Sequence, residues 1–160
     1  MTAGSKPRVH HAWWVGGAAL SAALYAGFRI NECLGTDLVL AKEPAATALA
    51  FLHVLNSKRT PAVLIMVIAT LGTAALAVHK ARPRKLAVIG LVLLVVEDVL
   101  TFGLHVPFVL ALESKTADPA PADWSALCSR YIFDDVSRTV LLLAAAIVFL
   151  TSALQTEKRT

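Results

Sequence analysis

Four runs of about 20 apolar residues divide this chain, each as long as a helix must be to cross a ~30 Å hydrocarbon layer. They extend from about Ala12 to Ile30, Thr60 to His79, Leu86 to Leu110 and Val136 to Leu154. In lipid every backbone N–H and C=O has to be satisfied within the protein, which leaves helices and closed barrels as spanning forms. None of the runs alternates with period two, so helices are predicted and strands are not. Only 16% of the residues are charged, against roughly 25% in an ordinary soluble domain. The reading is all-α: one integral membrane domain over residues 1–160, a polytopic four-helix bundle with short extra helices on one side.

Lys6 and Arg8 precede the first run, as they would in a signal peptide. The run is longer than an h-region of about 7–15 residues, and its small residues Ala3, Gly4 and Ser5 come before it, where no cleavage site can lie. A retained helix is therefore expected. Orientation follows from the cations. The N-terminus, the turn His79–Lys85 and the C-terminus together hold eight Lys or Arg against the single acid Glu157, a balance of +7. The opposite connections hold seven cations against eight acids, a balance of −1 over many more residues. Short basic segments stay in the cytoplasm, which predicts both termini inside and a plasma (inner) membrane location. The net charge of +4 is thus a topology signal, and no nucleic-acid partner is expected.

The two outer connections are long. Residues 44–56 form a helical stretch that Pro44 can start. Asp123 is placed to cap a short run from Trp124 to Tyr131, whose two aromatic ends suit a membrane interface. Cys33 and Cys128 both fall on the outer side, where an oxidising compartment permits a disulfide, although the sequence does not bring them together. The lack of a C-x-x-C pair argues against thiol-redox chemistry.

Glu97 and Asp98 lie near the middle of the third run, where a carboxylate is expensive and normally turned inward. At 100° per residue Asp98, Thr101 and His105 share one face within about 60°, with Glu97 on the adjacent strip. Such a face can be a functional site or a polar contact that fixes helix packing. A second group gathers at the outer ends of the helices. It comprises Tyr25 and Arg29, spaced i, i+4 on one face, then Asn31 and Glu32, His53 and Asn56, and Asp134, Asp135 and Arg138. Arg138, Arg59 and Lys58 also fit ordinary interfacial snorkelling. His53, His105, Glu97 and Asp98 are admissible ligands for iron, copper or zinc, but no local signature links them, and the cofactor stays open.

The stretch His105-Val106-Pro107, then Asp123-Trp124, Arg130-Tyr131, Asp135 and Arg138-Thr139, resembles the anthrone-oxygenase-like family of small four-helix membrane proteins. The likeness covers most of the chain and is sharpest from Trp124 to Thr139. Pro107, Trp124, Arg138 and Thr139 match that pattern. His105 stands where the family has Asn, Tyr131 where it has Trp, and Asp135 where it has His. The resemblance implies oxygenation of an apolar aromatic of anthrone type to the quinone, without an obvious organic cofactor. His105 or the buried Asp98 would act as base and Arg138 would stabilise the oxyanion. Tyr25, Arg29, Asn31, His53, Asn56, Glu97, Thr101, Trp124 and Asp135 would line the substrate site, with Phe102, Leu104 and Phe108 supplying apolar walls. The expected partners are membrane lipid and the small aromatic substrate, with the oligomeric state open. The alternative is a non-enzymatic bundle that binds or passes a lipophilic molecule or an ion.

Overall fold

The computed structural model describes residues 9–81, 84–115 and 121–157. Among them there is no strand, and the backbone runs in four unbroken helical stretches, 9–42, 45–80, 85–113 and 124–157. The first comprises α1 (Val9–Glu32), a π-helical turn at Cys33–Asp37 and α2 (Leu38–Lys42). The second is α3 (Ala45–Lys80). The third comprises α4 (Lys85–Leu100), a π-helical turn at Thr101–His105 and α5 (Val106–Glu113), and the fourth is α6 (Trp124–Glu157).

Thr60–Lys80, Lys85–Glu113 and Trp124–Thr156 are long and apolar enough to cross a membrane. The first run, expected to be a fourth such helix, is not among them, because its Gly, Ser, Trp and Tyr residues lower its hydropathy. The helices nevertheless close into a ring. α1 packs most extensively on α6 and then on α3, α6 packs on α4, and α4 on α3. Arg29 of α1 meets Asp135 of α6, near the end of one helix and the start of the other, so the two run antiparallel. The first and last described residues therefore share one end of the bundle with the turn after Lys80.

Two of the expected extra helices are extensions of their neighbours. From Ala45 on, the expected stretch 44–56 belongs to the same helix as the second run, although Pro61 lies inside it. Pro61 removes one backbone N–H. The Thr60 hydroxyl beside it donates to the Asn56 carbonyl at 2.7 Å, and the helix continues past the proline to Lys80. Likewise the Trp124–Tyr131 run continues into the fourth apolar run as α6, and the Leu127 N–H bonds the Asp123 carbonyl at 3.0 Å in its first turn.

The interior has two apolar clusters. The larger joins Val15, Ala18 and Ala26 of α1, Val67 and Ala74 of α3, Leu94 of α4, and Leu142 and Phe149 of α6. The smaller, at the end away from the termini, joins Leu40, Leu49, Leu52, Val109, Leu112, Cys128 and Tyr131. Between them lies a layer of buried polar side chains. Outward, Leu24, Ile68, Val99, Ile147 and Leu154 are exposed, an apolar surface of the kind lipid covers.

Candidate functional site

The polar layer is built around Asp135, which has no exposed surface. Its Oδ1 accepts hydrogen bonds from the guanidiniums of both Arg29 and Arg138. Arg29 also donates to Glu32, one turn further along its own helix. The result is a chain of alternating charge, Glu32–Arg29–Asp135–Arg138, spanning α1 and α6. Charges of this kind persist in an apolar interior because each is paired and hydrogen-bonded. The other oxygen of Asp135 faces the Cys33 thiol at 3.6 Å, and that thiol lies 3.4 Å from the Thr139 hydroxyl.

The π turn at Thr101–His105 supplies the third wall. Thr101 donates to Glu97 at 2.8 Å, and Arg138 Nη1 reaches Thr101 at a long 3.4 Å. His105 is buried, with Nε2 3.9 Å from Asp135 Oδ1 and Nδ1 4.0 Å from Asp134 Oδ2. Its ring packs on Tyr131 at a centroid distance of 5.0 Å. His105 of the π turn and Asp135 of α6 thus face one another.

The turn also corrects the expected face of this helix. Glu97, only 1% exposed, takes the interior position assigned to Asp98, which is half-buried. A π turn takes one more residue than an α turn, so Glu97 rather than Asp98 falls in line with Thr101 and His105.

Beside the layer a cleft of about 130 Å³ opens between α3 and α5. Its rim is exposed and largely apolar, with Leu64 on one side and Phe102, Val106 and Leu110 on the other. Its floor is buried: Tyr25, Arg29, Thr101, His105 and Arg138. At the mouth Asn56 donates to Glu113, tying α3 to α5. A second cleft, about 290 Å³, lies against α6 and is lined by Leu100, Leu104, Phe133, Asp134, Ser137 and Arg138, so Arg138 touches both.

Tyr25, Arg29, Asn56, Thr101, His105 and Arg138 of the predicted set therefore meet at one cleft, with Asp135 and Glu97 directly behind its floor. The others do not. Asn31 and His53 are exposed, since the helical step that buries Glu32 and Leu52 turns them outward. Trp124 packs against the smaller apolar cluster, eleven residues and about 16 Å of helix from Asp135. Of the apolar walls expected, Phe102 sits on the rim and Leu104 in the second cleft. Phe108 lies under the Arg130 guanidinium, 4.4 Å away. The side chain of Arg59 lies outside the described residues.

Glu32, named with the group at the outer helix ends, joins the layer through Arg29 at i, i+3, whereas Cys33 and Thr139 had no site role assigned to them. The cysteines are both free: Cys128 donates to the Leu40 carbonyl at 3.4 Å, at a different height on α6 from Cys33. The proposed metal set of His53, His105, Glu97 and Asp98 is not assembled, because His53 is on the outer surface of α3. Among the described residues Cys33, Asp37 and Asp135 do bring ligand atoms within 4.8 Å of one another. Asp135 already holds two guanidiniums, whose charge opposes a cation there. No family model, curated protein or solved structure matches the chain.

Proposed function

We propose that this chain is a membrane-embedded oxidoreductase that oxygenates a small apolar aromatic substrate of anthrone type, with four spanning helices and both termini in the cytoplasm. One observation carries the reading: Arg138 and Thr139, which match the family pattern, and His105, Tyr131 and Asp135, which stand where that pattern has other residues, converge on one buried layer beside a lateral cleft. The two rims of that cleft belong to membrane-length helices, which suits a ligand arriving from the lipid. α1 lies along α6 and crosses with it. The basic turn after Lys80 shares an end with the first and last described residues, and its excess of cations favours that end in the cytoplasm.

The chemistry needs a base, an oxyanion partner and dioxygen. The acidic C–H proton of the anthrone passes to His105, beside whose nitrogens the carboxylates of Asp134 and Asp135 are counter-ions for an imidazolium. The electron pair left behind delocalises onto the ketone oxygen, where Arg138 stabilises it. Dioxygen accepts the electrons and forms the new C–O bond, and water leaves the resulting hydroperoxide. One anthrone and one dioxygen give one quinone and one water. The test is quinone formation by the protein in lipid nanodiscs, measured above the uncatalysed rate. His105→Gln and Arg138→Lys should each lower the rate by about 100-fold, a typical loss for a base or an oxyanion donor. Equal rates with and without the protein would overturn the reading.

A second reading has its own support. The charge chain from Glu32 to Arg138 balances two carboxylates against two guanidiniums, as a packing lock requires. A non-enzymatic carrier of lipophilic molecules would then keep its ligand binding in His105→Gln and lose only thermal stability.

A further inference from the structure

The cleft has a charge pattern that its apolar rim conceals. Its floor is lined by residues that carry hydrogen-bond donors, Tyr25, Arg29 and Arg138, while Glu32, Glu97 and Asp135 sit outside the lining. The one carboxylate in the lining, Glu113, is at the mouth and is held by Asn56. Arg138 is the end member of the alternating charge chain and shares its counter-ion Asp135 with Arg29. Its Nη1 makes only a 3.4 Å contact to Thr101, which is longer than a charge-assisted hydrogen bond should be. Its Nε has no hydrogen-bond partner among the described residues, although the side chain is only 3% exposed. A buried guanidinium that shares its one carboxylate with a second arginine has donor capacity left for an anion.

We infer that the cleft selects a ligand whose inner end is an oxyanion, an aromatic carboxylate or phenolate, received by Arg138 with Tyr25 and Thr101 beside it. The aromatic body lies outward between Leu64 and Phe102. This rests on the cleft being the ligand site and not on the oxygenation itself. Recognition acts on the ligand as it binds, before any proton is moved. An arginine rather than a lysine suits the task, because a planar guanidinium can meet a two-oxygen head side-on while still holding Asp135.

The test compares two probes of the same shape, 2-naphthoate and the neutral 2-naphthamide, binding to the full-length protein in nanodiscs by calorimetry, with empty nanodiscs as the blank for partition into lipid. The naphthoate should bind at least about tenfold more tightly, and Arg138→Gln should erase that preference while Arg138→Lys keeps part of it. The comparison in the unaltered protein decides the matter even where Arg138→Gln fails to fold. Equal affinities, or tighter binding of the amide, would overturn the anion preference and leave the cleft as a ligand site. Binding of neither probe, or binding that survives filling the cleft with Leu64→Trp, would overturn the cleft as a ligand site and the preference with it.

Discussion

Asp135 binds two guanidiniums through one oxygen, so its removal takes the carboxylate from Arg138 and leaves Arg29 with Glu32 alone. Breaking a buried pair of this kind costs about 3–5 kcal/mol, because the surviving charge has no water to return to. Asp135→Asn should therefore lower the thermal unfolding temperature sharply in detergent. Asp98→Asn, on the half-buried neighbouring strip of α4, should leave it close to the unaltered protein. A small effect at 135 would mean that the charge chain is not what holds α1 to α6. Both carboxylates look alike in the sequence, and the reason they differ is local. An unbroken 100° step aligns Asp98 with His105, whereas the π turn at Thr101–His105 aligns Glu97. Nothing in the residue types announces that turn. The Tyr25–Arg29 face was legible because i, i+4 spacing is a property of one helix. The Arg29–Asp135 and Cys33–Thr139 contacts were not, because they pair residues more than 100 positions apart.

At the scale of the helices, the apolar runs were legible because length and hydropathy alone set them, while their ends were not. Pro61 reads as a boundary, yet α3 runs through it without a break from Ala45 to Lys80. Close approach between helices is equally invisible in the sequence. A Cβ at Gly90 of α4 would stand 2.8 Å from the ring of Phe149 of α6, which is fully buried, whereas one at Gly16 or Gly17 of α1 would meet nothing within 4 Å. Gly90→Ala is expected to cost about 1–3 kcal/mol through overpacking. Gly16→Ala should be neutral or slightly stabilising, since alanine favours the helix by up to about 1 kcal/mol. Thermal unfolding of the two variants checks this, and equal effects would show that α4 and α6 do not meet so closely. At the mouth of the cleft, Glu113→Ala removes the tie between α3 and α5. Hydrogen exchange should then quicken across Val106–Glu113 and stay unchanged in the inner half of α4. Uniform quickening would assign Glu113 a part in the whole bundle rather than at its mouth.

For the whole molecule the open question is which way the ring of helices stands in the membrane and whether α1 crosses with the rest. α1 falls short of its neighbours in hydropathy, yet it buries Val15, Ala18, Ala22, Tyr25 and Ala26 in the bundle and presents Leu20, Leu24 and Ile30 outward. A helix with that division is paid for by packing more than by its own transfer into lipid, and small residues let it approach its partners closely. If α1 crosses, the chain has four spans and both termini share the side of the Lys80–Lys85 turn. If α1 stays outside the bilayer, three spans put the two termini on opposite sides. Single cysteines in a background lacking Cys33 and Cys128 separate these cases with a membrane-impermeant maleimide on intact cells. A cysteine at Lys115, exposed at the far end of α5, should react. One at Arg84, exposed at the basic turn, should react only after permeabilisation. One at Thr2, ahead of the described residues, should behave like the one at Arg84. Reaction at Arg84 with protection at Lys115 would invert the molecule and move the polar layer nearer the cytoplasmic face. Reaction at both Thr2 and Lys115, with Arg84 protected, would take α1 out of the membrane. Asp135 and Arg29 could then not meet in the lipid interior, and the charge chain from Glu32 to Arg138 would lose the helix that begins it.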